Sequence, residues 1–127
     1  MKRFKRLKDG WIHDNELNLD WGPSSDNWMS LKDAEEYCVK QGGRLPTLKE
    51  LHSLIDYSKY DPAANKKVFK DVKSSWYWSG MRTAWNAGAV WCVGFGRGSV
   101  SILGEDVDNY VRPVRDWNGL AEEGEGR

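Results

Sequence analysis

Arg82, Trp85 and Asn86 stand close together in MRTAWNAGA, residues 81–89, a stretch with no regular apolar period. An indole offers an apolar face for stacking, and a guanidinium and an amide beside it offer hydrogen bonds. That is the chemistry of a sugar or partner contact; the alternative is that Trp85 folds back as a lid on the core. GEDVDN, residues 104–109, gathers Glu105, Asp106, Asp108 and Asn109, hard oxygen ligands of the kind that hold calcium. Its plainer reading is an exposed acidic turn. Cys38 and Cys92 lack the CxxC or Cys/His spacing of a zinc site and read as reduced core residues rather than a disulfide. His13 and His52 stand far apart in sequence and read as surface or core residues rather than ligands. The chain also has no nucleophile elbow, metal-spaced histidine pair or phosphate loop. The expectation is a non-enzyme, with no catalytic residues, no metal and no cofactor.

Composition narrows the partners. A chain of 127 residues fits one domain with a sizeable core. Only 39% of residues are apolar but 13% are aromatic, so a few large rings must supply much of the buried area. Net charge is zero, which argues against a generic nucleic-acid binder. The charge is uneven: MKRFKRLK opens the chain and AEEGEGR closes it. The basic opening reads as a short solvated terminus rather than a phosphate-binding arm. No run approaches the ~20 apolar residues of a membrane span, so no membrane insertion is expected. No apolar run follows the first basic residues, so no secretory signal is read there; the compartment is left open, cytoplasmic or virion-associated unless the chain is exported as part of an assembly.

The elements that must position these residues follow from the patterning. GWIHDNELNLDWG reads as two short strands around Asp14-Asn15-Glu16, with Trp11, Leu17, Leu19 and Trp21 on the apolar side. Ser30 is a good helix N-cap with Asp33 three residues on, Leu31, Ala34, Tyr37, Cys38 and Gln41 trace one face, and Gly42-Gly43 ends the helix. Thr47 with Glu50 forms a capping box for a second helix of about three turns, fed by an extended Arg44-Leu45. Residues 58–74 read as an irregular connection pinned by Phe69 and Val72. From Trp76 the period changes to two, and WYWSG, AVWCVGF, SVSIL and YVRPVR are four strand-like runs. Gly96-Arg97-Gly98 makes a hairpin of the second and third, and Pro113 calls for an edge position or a bulge. Alternation places Trp91, Val93 and Phe95 on one face and Val90, Cys92 and Gly94 on the other. The first set, together with Trp78, reads as the core side of the sheet. The fold class is α+β: a hairpin, two helices, then an antiparallel sheet.

These segments also resemble a known family. RLPTLKELHSLIDYSKYDP, SSWYWSG, VWCVGFGRGSV and YVRPVR match, in order and spacing, hallmark segments of the Lcl C-terminal domain family. Its usual DN-x-x-GL-x-W opening is similar to DNELNLDWG, and the resemblance covers residues 4–116 within a single domain spanning 1–127. It implies a C-type-lectin-like arrangement related to formylglycine-generating enzymes, with two helices on a twisted antiparallel sheet and neighbouring termini. It implies further a module of a bacterial or phage surface protein used in adhesion, in some members by a trimer that binds sulfated glycans. The family often carries a cysteine where this chain has Pro113, paired with one at the Cys38 position; that bridge cannot form here. The Glu-Pro-Asn or Gln-Pro-Asp triplet of calcium-dependent lectins has no counterpart, and their Trp-Asn-Asp run is WNA at residues 85–87.

Two functional expectations result. The first is a binding module for a glycan or protein ligand, acting through the segments above the sheet, residues 81–88 and 103–109. Its candidate contacts are Arg82, Trp85, Asn86, Arg97, Asp106 and Asn109. The second is a decoration or fibre subunit of a phage or surface assembly, which would form a homo-oligomer. An oxidase role would need paired reactive cysteines, and neither Cys38 nor Cys92 reads as reactive.

Overall fold

The computed structural model describes residues 2–117, so the acidic closing stretch lies outside the described residues. The elements are β1 (Phe4–Arg6), β2 (Ile12–Asp14), β3 (Leu19–Trp21), α1 (Leu31–Lys40), α2 (Leu48–His52), β4 (Trp76–Arg82), β5 (Ala89–Gly94), β6 (Ser99–Gly104) and β7 (Val114–Asp116). They form two antiparallel sheets, one ordered β1-β2-β3-β7 and the other β4-β5-β6, with two helices. The fold is α+β.

The helix starts follow their local chemistry. Ser30 Oγ accepts the Asp33 amide, and Thr47 and Glu50 satisfy each other's backbone amides in a full capping box. Gly42 ends α1 at φ +87°, a conformation that costs glycine nothing sterically. The second helix is shorter than its apolar spacing suggests. α2 stops at His52, and turns that return the Leu54 and Ile55 amides to Leu51 and His52 continue it.

The first hairpin turns on one carboxylate. Asp14 Oδ1 accepts the Glu16 and Leu17 amides, and Asp14 Oδ2 accepts Trp21 Nε1 at 3.1 Å. Asn18 then takes the left-handed conformation, φ +53°, that brings the chain back into β3. The basic opening is a paired strand rather than a loose terminus, and its basic residues other than Arg3 are exposed. Phe4–Arg6 pairs with β2, and Arg3 donates to both Asp14 oxygens and to Ser53. Arg3 and Arg6 are held by a carboxylate and by carbonyls, which charge counting does not register.

The four strand-like runs after Trp76 do not form one sheet. Tyr110 lies along β4, with its amide on the Trp76 carbonyl and its carbonyl on the Trp78 amide, both at 3.0 Å. Four residues later Val114 pairs with Trp21 of β3. Pro113, which has no N–H to offer a ladder, marks the crossing between sheets and precedes β7 at a sheet edge.

The β4–β6 sheet is covered on both faces. Trp78, Val90 and Cys92 pack with Leu31, Ala34 and Cys38 of α1 and with Val111. Tyr77, Val93 and Phe95 pack with Leu51, Phe69 and the first sheet's Ile12, Leu19 and Trp21. The register pairs Trp78 with Cys92, which puts Trp78 on the opposite face from Trp91. The expected one-sided core is therefore corrected: Val90 and Cys92 are as buried as Val93, while Trp91 is only half-buried. Strict alternation cannot assign an inner side to a sheet that has two. Of the described indoles after residue 75, Trp78 alone is fully enclosed.

Candidate functional site

At one end of the β4–β6 sheet, the β4–β5 connection meets the segment that leaves β6. The register of β4 slips between Trp78 and Arg82, and Ser79 Oγ fills the irregularity by donating to the Trp91 carbonyl at 2.6 Å. A tight turn follows. Thr83 Oγ1 donates to the Asn86 carbonyl and accepts the Asn86 amide, and Asn86 Oδ1 accepts the Gly88 amide. Such side-chain-to-backbone bonds are what Thr and Asn contribute in turns. Arg82 donates to the Ala87 carbonyl and to Glu105 Oε2, the latter at 2.6 Å, so its guanidinium clamps the two segments together. The Glu105 amide on the Gly88 carbonyl closes the same junction.

Trp85 projects from this braced turn. It is 70% exposed, and its ring meets half-buried Trp91 edge to face at 6.0 Å. Its indole N–H has no partner among the described residues. It does not fold back as a lid.

The other expected contacts divide. Asp106 is exposed on the adjoining turn. Asn109 is not a surface contact: it is 5% exposed, exchanges backbone bonds with Met29 at 2.9 Å, and turns Nδ2 toward Cys92 Sγ. Arg97 sits at the far end of the β5–β6 hairpin, beside a cleft of about 250 Å³ lined by Ser74, Ser75, Trp76, Gly94, Gly96 and Ser99. The structure thus brings Arg82, Trp85, Asn86 and Asp106 together and separates Arg97 and Asn109 from them. Sequence reasoning missed Trp91 as a surface ring and Glu105 as the partner of Arg82. Both depend on strand pairing, although the opposite charges of the two connecting segments were a readable hint.

Both cysteines are enclosed. Cys38 and Cys92 are free thiols in one apolar cluster. Burial pushes both up to about 12, with the Glu35 charge adding to the effect at Cys38. A thiol reagent at neutral pH should therefore label neither cysteine in the folded protein at a rate within about a hundredfold of that in denaturant. Native-state labelling followed by a denatured control checks this, and fast labelling of either thiol would contradict it. His13 is buried with Nδ1 2.8 Å from Asp20, which also accepts Arg115 Nε at 3.0 Å. His52 Nε2 meets the Tyr57 hydroxyl at 2.7 Å. Among the described residues, no group of three or more His, Cys, Asp or Glu side chains is placed to hold a metal ion. Nor is any described helix long and apolar enough to cross a membrane.

The family model for the Lcl C-terminal domain matches residues 10–115. No curated protein and no solved structure matches the chain.

Proposed function

The chain belongs to the Lcl C-terminal domain family, and on that premise we propose that it is a non-catalytic recognition module of C-type-lectin-like fold. Its ligand is a glycan, taken at the surface that Trp85 and Trp91 form above the β4–β6 sheet. The observation that carries this reading is Trp85 itself. A large apolar side chain 70% exposed, on a turn held by Thr83, Asn86 and the Arg82–Glu105 pair, is carried by a fixed backbone and left outside the core. An indole left mostly in water gains little burial on folding, whereas a ring presented from a fixed turn lowers the entropic cost of stacking on a ligand. The free indole N–H and exposed Asp106 add polar groups at the rim of the surface. Arg82 acts chiefly as the clamp between the two segments, since its charge is already paired. The absence of catalysis is part of the proposal, supported by thiols that burial keeps protonated.

A glycan array probed with the wild-type chain and with Trp85→Ala tests the reading, with and without calcium. Binding to a defined set of glycans that disappears in the variant is the expected result. An array silent for the wild-type chain, while the same surface captures a protein, would replace the glycan with a protein partner.

A further inference from the structure

Arg97 is distinguished among the described arginines by having no partner. Arg3, Arg44, Arg82, Arg112 and Arg115 each pair with a carboxylate, and Arg6 donates to the Gly10 and Val68 carbonyls. Arg97 makes no ion pair and no hydrogen bond within the described residues, and stands exposed beside the 250 Å³ cleft. The hydroxyls of Ser74, Ser75 and Ser99 at the same cleft are likewise without described partners, and no carboxylate lines it.

Its aromatic wall is built by a close approach. The register sets Trp76 opposite Gly94, and a Cβ at position 94 would lie 3.0–3.1 Å from three carbons of the indole six-membered ring. Glycine lets the ring lie close on the strand backbone here, and any side chain would have to push it away by a few tenths of an ångström. Trp76 is half-buried, packed against the α1-side core while lining the cleft. The hairpin tip is fixed from several directions. The Gly98 amide bonds the Gly94 carbonyl at 2.9 Å, the Asp61 amide bonds the Gly96 carbonyl at 2.7 Å, and the Phe95 amide bonds the Ser75 carbonyl at 2.9 Å.

We propose that this cleft is a second binding subsite, for a single pyranose unit that carries an anionic group such as a carboxylate. The sugar's C–H groups meet the part of the Trp76 ring that lines the cleft, the serine hydroxyls meet its hydroxyls, and the Arg97 guanidinium takes the anion in a charge-assisted bond. A volume of about 250 Å³ suits one ring, being smaller than the roughly 300–1,000 Å³ of drug-sized sites. The subsite is separate from the Trp85 surface. The β5–β6 ladder runs from the Gly94–Ser99 pair to the Ala89–Gly104 pair, which sets the two ends about 17 Å apart. The inference does not depend on the Trp85 reading, and either can fail alone.

Titration of the full chain with glucuronic acid, followed by NMR at the tryptophan indole N–H signals, tests it. Glucose and inorganic phosphate serve as the comparison probes. Glucuronic acid should saturably shift the Trp76 signal and bind at least about tenfold more tightly than either comparison probe. Arg97→Gln, a change at an exposed turn, should remove that preference, and Trp85→Ala should leave it intact. The proposal is overturned if the Trp76 signal stays still, if glucose or phosphate binds as well, or if Arg97→Gln has no effect. A response confined to the Trp85 signal would also overturn it, by assigning the acid to the other surface.

Discussion

Asp14→Ala should lower the unfolding free energy by about 3–5 kcal/mol, read as a shift of the urea midpoint at neutral pH. Asp14 is fully buried, and its two oxygens accept from Arg3 Nε and Nη2, from Trp21 Nε1 and from the Glu16 and Leu17 amides. Alanine leaves a buried indole N–H without its acceptor, takes from Arg3 its buried partner while Glu16 and Ser53 remain, and releases the turn that sets β2 against β3. The milder change Asp14→Asn keeps one oxygen for the turn but removes the charge that faces Arg3, so a smaller loss is expected.

The same carboxylate makes stability depend on pH. Burial alone would raise the Asp14 carboxyl, but the bonds from Arg3 and Trp21 and the charge of Arg3 outweigh it, and the net displacement is downward. Asp71 is also displaced downward, burial being outweighed by the charge and hydrogen bond of Arg112. Glu50 follows the same pattern, with burial outweighed by Arg44 and the Thr47 amide. A carboxyl lowered in the folded state binds protons more readily when unfolded. Its stabilisation is fully present above the ordinary carboxylate range, about pH 4, and is lost as pH falls through the folded-state values. Urea midpoints should be level from about pH 7 to 5 and fall below about 4, and the fall should be shallower in Asp14→Ala. A midpoint that rises on acidification would contradict this assignment.

The second large effect is at Trp78. Trp78→Ala should cost about 3–5 kcal/mol, because the ring is wholly enclosed between α1 and the β4–β6 sheet. The substitution also reaches the recognition end. Trp78 Nε1 donates to the Met29 carbonyl at 2.8 Å, and Met29 exchanges backbone bonds with Asn109, next to the 105–108 turn. Trp78→Phe retains an aromatic ring but loses that donor, so it should cost less overall while speeding hydrogen exchange at the Asn109 amide. Equal exchange in wild type and Trp78→Phe would mean that the indole does not brace this end.

The features legible in the sequence are those that residues impose on near neighbours. The caps at Ser30 and Thr47, the stop at Gly42 and the turn at Asp14 rest on contacts a few residues long, and the structure keeps each of them. The partition of strands between sheets was not legible, because β7 pairs with β3 across more than ninety residues of sequence. Trp91 departs from its expected place for a related reason. With both faces of the sheet covered, apolar residues alternate with apolar residues, and only the extent of the covering elements decides which ring emerges. The site shows the same division. Trp85 was identifiable because its segment lacks a period, whereas the Arg82–Glu105 clamp and the burial of Asn109 depend on loops meeting in space. Arg97 stands out in the sequence by its charge, and only the Trp76–Gly94 pairing gives that charge a cleft to serve.

Recognition at this end of the sheet requires that Trp85 face outward, toward a ligand, from a frame that stands without it. Calorimetric titration of wild type and Trp85→Ala with the strongest glycan from the array, alongside a thermal melt of each, measures this directly. Affinity should fall by at least about thirtyfold while the melting midpoint moves by less than about 2 °C. Unchanged affinity, or a loss that only tracks a collapse of the melting midpoint, would show that the ring belongs to the fold and not to recognition.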